Sequence, residues 1–408
     1  MEKKFKVTHI RDYCNEQGLP FYVYQSPRID LTLFVPIIGE IRPTPVGRSY
    51  VFCAGLNDVI VYGIDALTIT PNNNILFHHL CSWHYNTDGV LSPLVSRREG
   101  DDFYVELGAN IGNVDVECVY TGHSDIANFG HLLWQGLARL AVINEEPELA
   151  QLPVAVPDHL PPRMYEFYDL LGYTADRRVL YKVGQPTRFK KLWMPSLPFY
   201  RGNIGDGLPY IWDKAIWFLR DRLTRGMTRQ HPGRRVRLFI GRDGARYRKI
   251  LNFDEVAAIL SEKGFIEFNP ADFPAKEQIR LFSAAEIIVF AAGGASSVPL
   301  LAASDCVLVE LLPKGVEFFV GGAPTYAAVT RQPLERIFGD AFFAPENPSA
   351  EKAKTESLHN RDKDFKVPLD YFSKTVAVAV EMVERRNPLD IRSMPHPSIE
   401  SVLRYRQA

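Results

Sequence analysis

The stretch A-K-E-Q-I-R-L-F-S-A-A-E-I-I-V-F-A-A-G-G-A-S-S-V-P-L-L-A-A-S-D-C-V-L-V-E-L-L-P, residues 275–313, decides the fold. Residues 275–285 read as a helix. The runs I-I-V-F at 287–290 and C-V-L-V-E-L at 306–311 are apolar with almost no alternation. A strand with one wet face alternates; a strand apolar throughout is covered on both faces, as in a parallel sheet between helices. Residues 298–303 read as a short helix between the two strands. Working outward, 265–268 is a predicted strand. Residues 253–263 form a helix with Asn252 as cap, Glu255 three residues on and Gly264 at its end. Residues 236–240 predict a further strand and 211–219 a helix. The regular alternation predicts a doubly wound α/β domain over residues 206–390.

Upstream the pattern differs. Residues 59–62, 67–70, 75–80 and 103–107 read as strands, and P-N-N-N at 71–74 is a hairpin turn signal. A helix is expected after Ser124 and Asp125, with Phe129, Leu132, Leu133, Leu137 and Leu140 on one face. A strand at 152–156, a helix from Pro161-Pro162 to Gly172 and a strand at 179–183 follow. The aperiodic Y-R-G-N-I-G-D-G-L-P at 200–209 is expected to be a linker, dividing the chain into residues 1–205 and 206–390. The end, 391–408, is expected to be a helix, with a surface helix and one that packs back on the first domain as equal alternatives.

Composition narrows the class. Lys plus Arg total 47 against 48 Asp plus Glu in 408 residues, a balance that argues against a nucleic-acid binder. Five cysteines, with no C-x-x-C pair, read as reduced thiols in a cytoplasmic protein. No apolar run approaches the roughly 20 residues of a membrane span. Peripheral attachment to a membrane through partners stays open.

In a parallel sheet ligands bind at the carboxyl ends of the strands. Three sequences fall there: G-R-D-G-A-R-Y-R-K-I-L-N at 241–252, A-A-G-G-A-S-S at 291–297, and the strand end at Glu310. Arg242 and Arg248 can grip a phosphate in a fork. Gly293 and Gly294 let a phosphate approach the backbone, Ala295 continues the loop, and Ser296 and Ser297 add hydroxyls. Glu310 suits a ribose diol. Together these predict a nucleoside-diphosphate site. A plain strand–helix turn at G-G-A-S-S and a capping role for Glu310 are the structural alternatives. The other arginines from Arg220 to Lys249 read as a solvated face. In the first domain H-S-D-I-A-N-F-G-H-L-L, residues 123–133, brings together His123, Asp125, Asn128 and His131. Asp125 also fits a helix cap.

The order and spacing of these segments resemble glycosyltransferase family 61. The family pattern of Arg, a second Arg six residues on and Asn four further falls on Arg242, Arg248 and Asn252. Its Gln falls on Gln278, its Glu-Leu on Glu310-Leu311, and N-F-G-H-L-L-W-Q-G-L-A-R-L at 128–140 places His131 on the family histidine. The resemblance implies a GT-B-like architecture: two Rossmann-like domains facing across a cleft, here with a β-rich N-terminal portion. It implies an inverting, metal-independent transfer from a nucleotide-sugar donor to a glycan or lipid-linked saccharide acceptor in capsular polysaccharide synthesis. No cofactor is implied. His131 would be the general base with Asp125 as rival, while Arg242, Arg248, Asn252 and the Gly293–Ser297 loop would hold the donor. Ala292 departs from the family, standing where a histidine is common. That departure motivates the rival reading of a non-catalytic nucleotide- or sugar-binding relative, which a glycoside product would eliminate. An RNA-binding role for the arginine cluster lacks aromatics interleaved on a sheet face.

Overall fold

The computed structural model describes residues 2–25, 50–63, 66–77, 94–100, 102–108, 110–122, 127–200, 210–225, 236–242, 248–315, 322–342 and 363–386. The first half holds β1 (Glu2–His9), α1 (Ile10–Gln17), β2 (Phe21–Gln25), β3 (Tyr50–Tyr62), β4 (Leu67–Ile69), β5 (Asn74–Phe77), β6 (Val95–Glu99), β7 (Asp102–Glu106), β8 (Gly112–Val114) and β9 (Cys118–Tyr120). It continues with α2 (Phe129–His131), α3 (Arg139–Ile143), β10 (Val154–Pro157), α4 (Pro162–Leu170), β11 (Arg178–Tyr181) and β12 (Thr187–Pro195). A small hairpin, β13 (Phe199–Tyr200) and β14 (Tyr210–Ile211), leads into α5 (Asp213–Thr224) and β15 (Val236–Ile240). Then come α6 (Phe253–Glu262), β16 (Phe265–Glu267), α7 (Ala275–Ala284), β17 (Ala285–Ala291), β18 (Val307–Pro313), α8 (Ala323–Thr330), β19 (Leu334–Phe342), β20 (Asp364–Lys366) and α9 (Leu369–Glu384).

The second half bears out the alternation. Its 6-stranded sheet runs β16-β15-β17-β18-β19-β20, parallel except for the antiparallel β20. β17 and β18 are buried on both faces apart from Glu286, which explains their unbroken apolar runs. Gly264, at φ +75°, ends α6 in the left-handed conformation expected of it.

The first half is a 12-stranded mixed sheet, with β4 and β5 forming the predicted hairpin. The Rossmann-like expectation fits here only at one end, where β9 is parallel to β10 and β12, and β10 to β11. Beyond β12 the ladder turns antiparallel through β3, β4 and β5, and of these pairings β3–β4 and β4–β5 join strands that are close in sequence.

The two halves share one apolar core. Leu132, Leu137 and Val154 of the first belong to the same buried cluster as Leu219, Leu238, Ile288, Leu300 and Tyr326 of the second. Helix α5 lies along this seam, against α3, α7 and α8. Polar contacts fasten the seam further. Lys214 pairs with Glu145 at 2.9 Å, Arg163 Nη1 donates to Ala271 O at 2.5 Å, and Ala275 N donates to Glu166 Oε2 at 2.7 Å. Along this line the halves are joined, not parted by a cleft.

The expected linker lies outside the described residues over 201–209. Its flanks pair as Tyr200↔Tyr210, so the chain returns to the point where it left. Residues 391–408, expected as a terminal helix, also lie outside. The described chain ends on α9, which packs Phe372, Val376 and Ala379 into the second half's own core. No helix among the described residues is long and apolar enough to cross a membrane.

Phe282 is fully buried at the seam and meets Phe268 edge-on at 5.6 Å. Phe282→Ala is expected to lower unfolding free energy by about 3–5 kcal/mol, read from denaturant titration. An unchanged midpoint would show that the halves do not depend on this packing.

Candidate functional site

Strand order in the second sheet reverses between β15 and β17, since β16 lies on the far side of β15 from β17. That reversal opens a crevice at the carboxyl ends of the two strands, the general ligand position in such sheets. β15 leads there into Gly241 and Arg242, and β17 into Ala292 and Gly293. Arg242 Nη1 donates to Ala292 O at 3.2 Å. Gly293 has φ +155°, and a Cβ built on it would collide with Arg242 Nη1. Only glycine lets the guanidinium lie against the turn.

The segment after Gly293 corrects one expectation. It is a seven-residue 3-10 helix, Gly294–Leu300, with Pro299 inside it, not an α-helix over 298–303. Gly293 N–H already donates to Ser296 Oγ at 3.1 Å, and that hydroxyl donates to Glu310 Oε1 at 2.8 Å. Glu310 Oε2 accepts from Arg336 Nε at 3.1 Å. Glu310 and Arg336 are cross-strand partners on β18 and β19, and both are almost wholly buried. Glu310 therefore braces the loop through Ser296, with Arg336 on its other oxygen. Arg336 also lies over the Phe338 ring, at 5.0 Å. Ala292 packs with Leu312 and Phe338 in a small apolar cluster.

Arg248 and Asn252 lie between β15 and α6, beside the segment that holds β20. Arg248 has φ +59°, an uncommon conformation for a residue with a side chain. The residues after it hold that conformation in place. Lys249 N donates to Asp364 Oδ1 at 2.8 Å, Phe365 N to Lys249 O at 3.0 Å, and Leu251 N to Phe365 O at 2.8 Å. Asn252 occupies the cap position of α6, but its side chain does not cap. Its amide grips the backbone of Val367 instead, donating to the carbonyl and accepting from the N–H, both at 2.9 Å. Arg246 lies outside the described residues. Arg220, read from sequence as part of a solvated face, is buried, donating to Pro299 O and Ser304 Oγ, each at 3.0 Å. It staples α5 to the end of the glycine loop.

The first half reaches this loop through α2. Asn128, not Asp125, caps that helix: its Oδ1 accepts from Gly130 N at 2.9 Å. Asp125 and His123 lie outside the described residues. A Cβ on Gly130 would stand 3.1 Å from Ser297 Oγ and 3.4 Å from Gly294 O. One on Gly294 would stand 3.6 Å from Asn128 Oδ1. The glycines at 130 and 294 thus let two backbones from different halves meet. His131 follows directly, half-buried, its ring 4.8 Å from that of Trp134. Arg242 borders the glycine loop at Gly293, and the α2 start borders it at Gly294 and Ser297.

Sequence reasoning missed the bracing pair Glu310–Arg336 and the burial of Arg220. It also missed Gln135, whose Oε1 meets His131 Nδ1. The i, i+4 spacing of His131 and Gln135 on a helix was a signal for the last.

Residues 129–309 match the model of the family described as Glycosyltransferase 61. No curated protein matches the chain. The family match makes the chain's class a glycosyltransferase. Within that class the chain carries a glycosyltransferase family 61 domain, running from the start of α2 into β18 and taking in His131, both arginines, Asn252 and the glycine loop.

Glu310→Ala strips a buried guanidinium of its carboxylate and is expected to cost about 3–5 kcal/mol in denaturant unfolding. Ser296→Ala leaves the pair intact and is expected to cost only about 0.5–1.5 kcal/mol. Equal effects would contradict the bracing role.

Proposed function

We propose that the enzyme moves a sugar, with inversion, from a nucleotide-sugar donor to a glycan or lipid-linked saccharide acceptor. The observation that carries this reading is the Arg242 guanidinium lying against the glycine turn at the sheet's switch point, with the His131 helix packed on the same loop. The donor's diphosphate would sit against Arg242 and Arg248, with the sugar turned toward α2. We read the two halves as GT-B-like in this sense, the acceptor entering from the first half. A place in capsular polysaccharide synthesis, at the cytoplasmic side of a membrane, fits such substrates.

The reaction balances as one displacement. His131 takes the proton of the acceptor hydroxyl, whose oxygen forms the new bond to the anomeric carbon. The bond from that carbon to the donor phosphate oxygen breaks, and the nucleoside diphosphate leaves with the electron pair. Two guanidinium groups offset the negative charge gathering on the leaving phosphate, a task a divalent ion performs in other enzymes. Asp125 is the rival base.

Screening UDP-, GDP- and CMP-linked sugars by thermal shift identifies the donor, since a ligand bound only by the folded state raises the melting temperature. With that donor, Arg242→Ala and Arg248→Ala are each expected to lower kcat by about 10²–10³-fold. Chelation with EDTA is expected to leave turnover unchanged. Full transfer by the arginine variants would remove the phosphate role, and loss of activity in EDTA would remove the metal-independent scheme.

A further inference from the structure

The helix that carries His131 is not uniform. After three α-helical residues it widens into a π-helical stretch, Leu132–Leu137, before α3 resumes. Such widenings are rare and often lie at functional sites. Gln135 sits in the middle of it, and none of its surface reaches solvent. Its Oε1 meets His131 Nδ1, while its Nε2 has no hydrogen-bond partner among the described residues. An amide buried with half its bonding capacity unused is costly. Burial of apolar surface alone would favour leucine here.

The rest of the surroundings fix where that amide points. The carbonyl of Gln135 accepts from Arg139 Nε at 3.0 Å. Arg139 is itself fully buried and donates to Pro195 O at 2.5 Å, so the turn bearing Gln135 is tied to the end of β12. On the other side the His131 ring leans on Trp134, which meets Phe199 edge-on at 5.1 Å. The imidazole is gripped by a ring and by an amide oxygen, each anchored to separate elements.

An amide oxygen only accepts, so the nitrogen facing it carries the proton. From this we infer that Gln135 is a positioning residue: it holds His131 as the Nδ1–H tautomer and puts the lone pair on Nε2, ready to take the acceptor's hydroxyl proton. When Nε2 takes that proton, the imidazolium keeps its Nδ1–H bond to the same oxygen. A neutral amide orients the ring without placing a second charge beside it. The inference rests on His131 as the base, and the tests separate the two.

The direct readout is the nitrogen-15 spectrum of the wild-type enzyme with ring-labelled histidine, the His131 signals assigned by their loss in His131→Gln. The neutral ring is expected to show a protonated Nδ1 and a bare Nε2. The opposite tautomer would overturn the inference whether or not any variant folds. In kinetics with the donor identified by thermal shift, Gln135→Met is expected to lower kcat at least about tenfold with the donor KM unchanged. In a His131→Ala background the same substitution is expected to change nothing further, because the two act as one unit. If His131→Ala abolishes transfer but Gln135→Met leaves kcat intact, the positioning role falls and the base stands. Full activity in His131→Ala would instead remove the base, and the inference with it.

Discussion

A guanidinium resting against a backbone turn is the constraint from which the site follows. Gly293 is glycine because its φ of +155° is one that residues with a side chain rarely adopt, and the Arg242 guanidinium rests where a Cβ would stand. The turn in turn is held by Ser296, which links the Gly293 N–H to the Glu310 carboxylate, and Glu310 is fixed by Arg336 across the strand. A positive group is thereby held at the crevice by elements that do not depend on a ligand to order them. Preorganised charge of this kind acts on a transition state without the cost of reorganising solvent.

The second feature is contact between halves. Gly130 and Gly294 permit two backbones to approach, so the helix bearing His131 packs on the loop beside which Arg242 lies. The shared core under α5 keeps that approach in register, since Trp212, Ile216 and Leu219 pack with residues of both sheets. His131 and Arg242, which come from different halves of the chain, are thereby brought to the same loop.

Much of the second half was legible from local pattern alone. The apolar runs at 287–290 and 306–311, the second interrupted by Glu310 alone, read as strands covered on both faces, and they are. The glycine loop and Arg242 were legible because turn geometry and strand-end position are local properties. The roles of Asn252 and Glu310 were not, since each depends on a partner far away in sequence: Val367 for one, Arg336 and Ser296 for the other. Arg220 misled for the same reason, its carbonyl and hydroxyl partners lying about 80 residues downstream. In the first half the described helix starts at Phe129, later than the expected start after Asp125, with Asn128 Oδ1 accepting from Gly130 N as its cap. The π-helical widening left no trace in the apolar spacing of Leu132, Leu133, Leu137 and Leu140.

The central claim concerns where a diphosphate binds, and one measurement addresses it. A crystal of the protein grown with a nucleoside diphosphate bearing sulfur on its terminal phosphate would locate that sulfur by anomalous scattering. The account predicts the peak beside Arg242 and Gly293, at the carboxyl ends of β15 and β17. A peak at the end of the first sheet, or anywhere away from that switch point, would contradict it.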